Sequence, residues 1–264
     1  MCAINGFNFF NRELIIAMNS VTSHRGPDST NYWFGEGVSL GHNRLSIIDL
    51  SPAASQPMFS NDGDLVIVFN GEIYNFLDLK KELESFYPFQ TKSDTEVILA
   101  AYKKWGTDCV KKFNGIFAFA IWDKRQKEIF LARDHVGVKP LYYFWDDKRF
   151  IFSSEIKGIL EHDVPRILNR EAFNHYLRVL YAPEPLTMFE GIHKMPPATF
   201  VILKDNKFSM HKYWDVVNNG SASNVSRREV IERIRDKVYQ AVSRQLISDR
   251  PVGIYLSGGI DSSV

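Results

Sequence analysis

The chain has 264 residues, 45% of them hydrophobic, and 32 lysines and arginines against 31 aspartates and glutamates, a net charge of +1. That length suits one large domain or a domain and a half, and the charge balance argues against a nucleic-acid or polyanion binder driven by bulk charge. Two cysteines, Cys2 and Cys109, make no disulfide framework and fit a reducing, cytoplasmic setting. No apolar run is long enough to span a bilayer, and MCAINGFNFFNRE lacks the basic region and cleavage site of a signal peptide.

Residues 3–10 are apolar and β-prone, so a buried strand leads away from Cys2. Asn11 is placed to cap a helix whose stripe is Leu14, Ile15, Met18 and Val21. A turn-rich loop, His24-Arg25-Gly26-Pro27-Asp28, precedes strands at 30–35 and 38–47. Leu65–Phe69 is a continuous apolar run, the pattern of a strand buried on both faces, and ends at Asn70-Gly71-Glu72-Ile73-Tyr74-Asn75. Asn75 is set to cap a helix facing inward with Phe76, Leu79, Leu83 and Phe86. Ser93 and Glu96 have capping-box spacing ahead of the stripe Val97, Ile98, Ala101, Tyr102 and Trp105. Strands recur at 115–122, 128–132, 141–146 and 149–153, with the loop Arg133–Pro140 among them. Short helices fit 154–161 and 170–180, and a strand pair fits 198–204 and 207–213.

Strands, then grouped helices, then more strands suggest sheet packed on sheet with helices outside. The polar stretch 216–225 reads as a linker. Beyond it Ser226 and Glu229 form a second capping box, and Val230, Ile234, Val238, Val242 and Leu246 mark an amphipathic helix over 227–248. A short strand at Val252–Leu256 leads into Ser257-Gly258-Gly259-Ile260-Asp261-Ser262.

Cys2 becomes a chain terminus once Met1 is removed. A thiol and a free α-amine then share one residue, and an amine of pKa ~7.7–8.0 can accept the thiol proton. A nucleophile of that kind needs donors for an oxyanion and a polar grip on its substrate. Asn70 and Gly71 can offer a side-chain amide and a backbone N–H, or can be an ordinary Asn-Gly turn. Arg44 and Asp94 suit the carboxylate and ammonium of an amino acid. Asp94 also fits the first turn of its helix, and Arg44, among apolar neighbours, also fits a buried ion pair. No spacing among the seven histidines and two cysteines resembles a metal site.

In order along the chain, Cys2, His24–Asp28, Arg44-Leu45-Ser46, Asn70–Asn75, Ser93-Asp94 with Glu96, and Arg133-Asp134 with Gly137 resemble the glutaminase domain of glutamine-hydrolysing asparagine synthetases. The resemblance implies an α+β fold, a four-layer αββα N-terminal-nucleophile hydrolase sandwich over 2–215. It implies Cys2 as nucleophile, Asn70 and Gly71 as oxyanion donors, and Arg44, Glu72 and Asp94 as the residues holding glutamine. The glutaminase half-reaction then needs no cofactor and no metal. Ser23 and Ala198 depart from the arginine and glycine many members carry there.

Ser257, Gly258, Gly259, Asp261 and Ser262 resemble the pyrophosphate loop of ATP pyrophosphatases, distinct from the Gly-Lys-Ser/Thr phosphate loop. In asparagine synthetases this loop opens a second, α/β domain that uses ATP and Mg2+ to adenylate aspartate. Residues 226–264 would be its truncated start, without the helix that faces the phosphates and with the apolar stripe of 227–248 exposed, so the whole chain would keep glutaminase chemistry and lack ATP-dependent amidation. Two rivals stay open: an amidotransferase with another acceptor, and a degenerate module without catalysis. Neither a nucleic acid nor a membrane is expected as partner, and a homodimer is left open.

Overall fold

The computed structural model describes residues 1–216 and 226–263, so the expected linker lies outside the described residues from position 217 on. β1 (Ala3–Phe7) is buried along its whole length. Asn11 caps α1 (Arg12–Thr22): its Oδ1 accepts the Leu14 amide at 3.0 Å, and Ile15 and Met18 turn inward. β2 (Ser29–Gly35) and β3 (Val38–Arg44) form a hairpin that lies against β1. β4 (Met58–Phe59) and β5 (Leu65–Ile73) follow, then α2 (Phe76–Leu83) and α3 (Asp94–Trp105).

The chain returns through β6 (Gly115–Asp123), β7 (Glu128–Arg133), β8 (Tyr142–Trp145) and β9 (Phe150–Ser153). Two helices follow, α4 (Ile156–Ile159) and α5 (Arg170–Val179), then β10 (Ile192–Lys194) and the hairpin β11 (Thr199–Lys204) and β12 (Lys207–Lys212). α6 (Arg227–Gln245) and the single turn α7 (Ile260–Ser263) close the described chain.

The strands make two six-stranded antiparallel sheets, ordered β10-β8-β9-β1-β3-β2 and β12-β11-β7-β6-β5-β4. Period-two alternation explains why the run at 65–69 is apolar throughout. Val66 and Val68 point into the space between the sheets, where they join Ile4, Leu40, Phe152 and Leu131. Ile67 and Phe69 point to the other face, against Leu79, Val97, Ile98 and Ala101 of α2 and α3. On the far side, α1 and α4 pack Ile15, Met18 and Ile159 onto Phe7 and Ile151. The layers are therefore helix, sheet, sheet, helix. Among the described residues no helix is long and apolar enough to cross a membrane.

Several local expectations change. β5 does not end at Phe69; it stays paired with β6 as far as Ile73↔Gly115, so Asn70-Gly71 is strand and not turn. Phe86 lies beyond the end of α2 and is exposed, because the chain turns out of the helix ahead of Pro88. Asn75 stands at the N-terminus of α2, but its side chain bonds the Lys112 carbonyl and the Asn114 amide instead of capping. Ser93 caps α3 through the Thr95 amide, while Glu96 turns away to accept the Gln90 and Thr91 amides, so no reciprocal box forms. Ser226 does cap α6 through the Glu229 amide at 3.3 Å, but Glu229 pairs with Arg233. Residues 252–256 are exposed, form no strand and pair with no described strand. Ala198, in place of glycine, sits at φ 52, and its methyl is buried in the helix-side core.

Candidate active site

β1 begins at Ala3, paired with Asn43 of β3, so Cys2 sits at the very end of a buried strand. Its Sγ lies 3.3 Å from the Leu45 amide, which donates to it, and 3.6 Å from the Leu45 carbonyl. Arg25 holds the same residue from behind: Nε donates to the Cys2 carbonyl at 3.0 Å while Nη1 pairs with Glu155 at 3.1 Å. Burial pushes the Cys2 thiol up, against the Leu45 hydrogen bond and the cationic charge of Lys139, which lower it. The thiol is thus held protonated and needs a base to attack.

The oxyanion side is built by strand alternation. Phe117, opposite Gly71 on β6, spends its amide and its carbonyl on Asp134, on the side away from β5. Gly71 and Phe117 are therefore a non-hydrogen-bonded pair, and the Gly71 amide faces the outer edge of β5. Its neighbours along that edge are claimed: Phe69 N–H donates to Gln56 at 2.6 Å, and Ile73 N–H donates to Asp94 at 3.0 Å. Only glycine fits, because a Cβ at position 71 would come within 2.3 Å of the Ile116 carbonyl oxygen. Asn70 is 1% exposed, and both its Nδ2 and its Oδ1 are buried without a hydrogen-bond partner. A buried amide left unpaired costs about 1–3 kcal/mol, so both polar atoms of this side chain are free to bond a ligand.

A small pocket of about 30 Å³ opens beside the thiol, lined by Cys2, Arg44, Gly71, Glu72 and Asp94, with Gln56 and Thr95 on its wall. Arg44 is buried, but its partners are neutral: Nη1 donates to the Ser51 carbonyl at 3.0 Å and Nη2 to the Asp49 carbonyl. The expected carboxylate partner is absent among the described residues, which leaves the guanidinium charge for a ligand carboxylate. Glu72 is pushed up to about 8, first by burial and then by the charge of Asp94. Asp94 is pushed up to about 6 by burial, against the hydrogen bonds from Ile73, Thr95 and Ser93. A buried and a half-buried carboxylate that resist ionising together suit an ammonium group.

An adjoining chamber of about 320 Å³ shares Cys2, Gly71 and Glu72 and adds Met1, Asn70, Tyr74 and Lys139. Its remaining wall is the segment after α6, including Ile247, Arg250 and Val252. Lys139 was not singled out by the sequence. It is 6% exposed, and Asp134 aims it by accepting the Val138 and Lys139 amides at 2.9 and 3.0 Å. Burial lowers its pKa, and the charges of Glu72 and Cys2 oppose that. Gln56 was also missed; its signal is tertiary, since Oε1 reaches Phe69 and Nε2 reaches Thr95.

Ser257, Gly258, Gly259, Asp261 and Ser262 stand apart from both cavities. Ser257 Oγ and Ser262 Oγ are 2.6 Å apart, the Gly259 amide donates to Ser257 Oγ at 3.3 Å, and every residue of the loop is exposed. The helix that should follow begins with the single turn α7.

A thiol at a strand end, beside a polar pocket and a buried amide without a partner, has parallels in known proteins. Asparagine synthetase [glutamine-hydrolyzing] 3 of Bacillus subtilis is 37% identical over 273 residues, covering 100% of this chain and 44% of the relative. Amidase chry2 of Gibberella zeae is 37% identical over 247 residues, 91% of this chain and 36% of the relative. The chain thus spans less than half the length of these two curated relatives. The solved glutamine phosphoribosylpyrophosphate amidotransferase of B. subtilis superposes with a TM-score of 0.61 at 19% identity, over 82% of this chain and 50% of that one. That likeness speaks to the fold, which is the N-terminal-nucleophile hydrolase sandwich. Residues 233–264 match the asparagine synthase family, and residues 1–214 match the glutamine amidotransferase domain. On that match, which covers most of its length, the chain belongs to the glutamine amidotransferases.

Proposed function

We propose that this chain hydrolyses the side-chain amide of glutamine, with Cys2 as nucleophile. The observation that carries the reading is Asn70: a buried side-chain amide with no partner, in the same chamber as the thiol. Glutamine's α-carboxylate would meet Arg44, and its ammonium Glu72 and Asp94. With Met1 removed, the Cys2 amine takes the thiol proton as Sγ attacks the amide carbon. The tetrahedral oxyanion is received by Asn70 Nδ2–H and Gly71 N–H, donors of a kind worth about 10²–10³ in kcat. Collapse breaks the C–N bond and returns the proton to the leaving group as ammonia. Water, deprotonated by the same amine, then cleaves the thioester to glutamate. Met1 is 58% exposed, within reach of trimming.

The domain reading is 2–215 for the glutaminase unit, 216–225 for the connection and 226–264 for the start of a synthetase unit. It is supported by the two family matches. The whole protein would pass the ammonia to an acceptor that becomes asparagine, as the name of the bacterial relative suggests, and the resemblance of 257–262 to the ATP-pyrophosphatase loop points to aspartate activated by ATP and Mg2+. Residues 257–263 give ATP an exposed loop and one helical turn, which do not enclose a nucleotide, and no step above runs through it. A second reading, another acceptor in place of aspartate, is favoured by the fungal relative named as an amidase. The two free thiols fit a cytoplasmic setting.

The test is to incubate the chain, with Met1 removed, with glutamine and measure glutamate and ammonia, then repeat with a glutamine-mimicking electrophile. Hydrolysis with labelling at Cys2 and not at the fully buried Cys109 supports the reading. No hydrolysis, or equal labelling of both thiols, speaks for the non-catalytic module.

A further inference from the structure

The loop that presents Arg44 to the pocket is held by a segment far along the chain. Asp49 is the hub of that loop. Its carbonyl and that of Ser51 take the Arg44 guanidinium. Its carboxylate accepts the Ser51 hydroxyl at 2.6 Å through Oδ1 and the Lys92 amide at 2.8 Å through Oδ2, two residues before Asp94. Its backbone sits at φ 53, in the left-handed region that a non-glycine residue occupies only when its surroundings impose it.

Those surroundings include the stretch just after α6. Asp249 Oδ2 accepts the Asp49 amide at 2.7 Å, the Asp249 amide donates to the Ile47 carbonyl at 2.9 Å, and Arg250 Nε donates to the Ser46 carbonyl at 3.3 Å. Ile247, two residues earlier, packs against the helix-side core and anchors the stretch. The left-handed turn at Asp49 is thus tied on one side to Arg44 and on the other to Asp249.

We propose that Asp249 is a positioning residue for the glutamine site: by holding the Asp49 amide it fixes the turn whose carbonyls orient Arg44, so the segment following α6 governs the grip on the substrate's α-carboxylate. The inference rests on the glutaminase reading. Asp249 touches neither glutamine nor the thiol, so its loss acts on binding and not on the chemical step. An Asn at 249 keeps an oxygen for the Asp49 amide; an Ala does not.

The test is steady-state glutamine hydrolysis by the full chain with Met1 removed, compared with Asp249→Ala and Asp249→Asn in the same form. Asp249→Ala is expected to raise KM for glutamine about tenfold, the size of one lost charge-assisted hydrogen bond, with kcat within about twofold. Asp249→Asn is expected to stay close to the unsubstituted chain. Alkylation of Cys2 by iodoacetamide, which has no carboxylate for Arg44, is expected to proceed at the same rate in all three. An unchanged KM in Asp249→Ala overturns the inference, as does equal damage in Asp249→Asn, or a parallel fall in kcat and alkylation rate. An unsubstituted chain with Met1 removed that fails to hydrolyse glutamine overturns the glutaminase reading, and this inference with it.

Discussion

Two regions of this chain carry motifs of similar sequence quality, and they differ in what holds them. Cys2, Arg44, Asn70, Gly71, Glu72 and Asp94 come from separate strands, loops and a helix start, and a buried two-sheet core brings them to one place. Ser257–Ser262 is a contiguous motif, yet it stands exposed with only its own hydrogen bonds. The stripe of α6 is likewise unburied, with Val230, Ile234, Val238, Val242 and Leu246 all exposed. Functional residues act when their backbone has no freedom left, and local sequence alone does not remove that freedom.

Catalysis gives the largest contrast. Asn70→Ala is expected to lower kcat for glutamine by about 10²–10³, the effect of losing one oxyanion donor, with a small change in KM. Ser257→Ala in the exposed loop is expected to leave both constants within about twofold, as a surface substitution does. A loss of glutaminase activity in Ser257→Ala would break the distinction between the regions.

Stability gives the next. Phe119 is fully buried, and Phe119→Ala is expected to cost about 3–5 kcal/mol in chemical denaturation. Ile234→Ser on α6 is expected to change stability by less than about 0.5 kcal/mol, since Ile234 is 57% exposed. A large loss from Ile234→Ser would mean that α6 is packed in solution.

The smallest effect is a pH dependence confined to the pocket. The folded pKa of Glu72, about 8, lies above its ordinary value of 4.5. The folded state therefore holds the extra proton, and the stability this contributes is full below pH 4.5 and lost as pH rises through 8. Glu72→Gln removes that loss. Its thermal midpoint is expected to match the unsubstituted chain at pH 4 and to exceed it at pH 9 by roughly 2–4 °C, the shift that about 1 kcal/mol makes in a domain of this size. The same proton must leave before an ammonium binds, so KM for glutamine is expected to fall as pH rises from 6 to 8. A midpoint difference of the opposite sign would mean that Glu72 is ionised in the free pocket.

Much of the fold was legible because burial writes a period into sequence. The unbroken run at 65–69 requires a strand covered on both faces, and Asn11 with Ile15 and Met18 requires a capped, one-sided helix. What escaped was decided across space. Asn-Gly reads locally as a turn, and only Asp134, by taking both backbone groups of Phe117, shows that Gly71 faces the free edge of β5. Arg44 was expected to find a carboxylate and instead found the carbonyls of a loop tied down by Asp249. Lys139 and Gln56 carry no local signature, since nothing in their neighbours says that they reach Cys2's cavities. The strand expected at 252–256 failed for the converse reason: its β-prone residues are exposed and joined to neither described sheet.

The central claim is that Cys2 acts with its own α-amine as base, and intact-mass analysis of glutamine-hydrolysing protein tests it most directly. The account predicts that every active preparation lacks Met1, and that protein in which Met1 is retained binds glutamine without hydrolysing it. Full glutaminase activity in protein that still carries Met1 would contradict it.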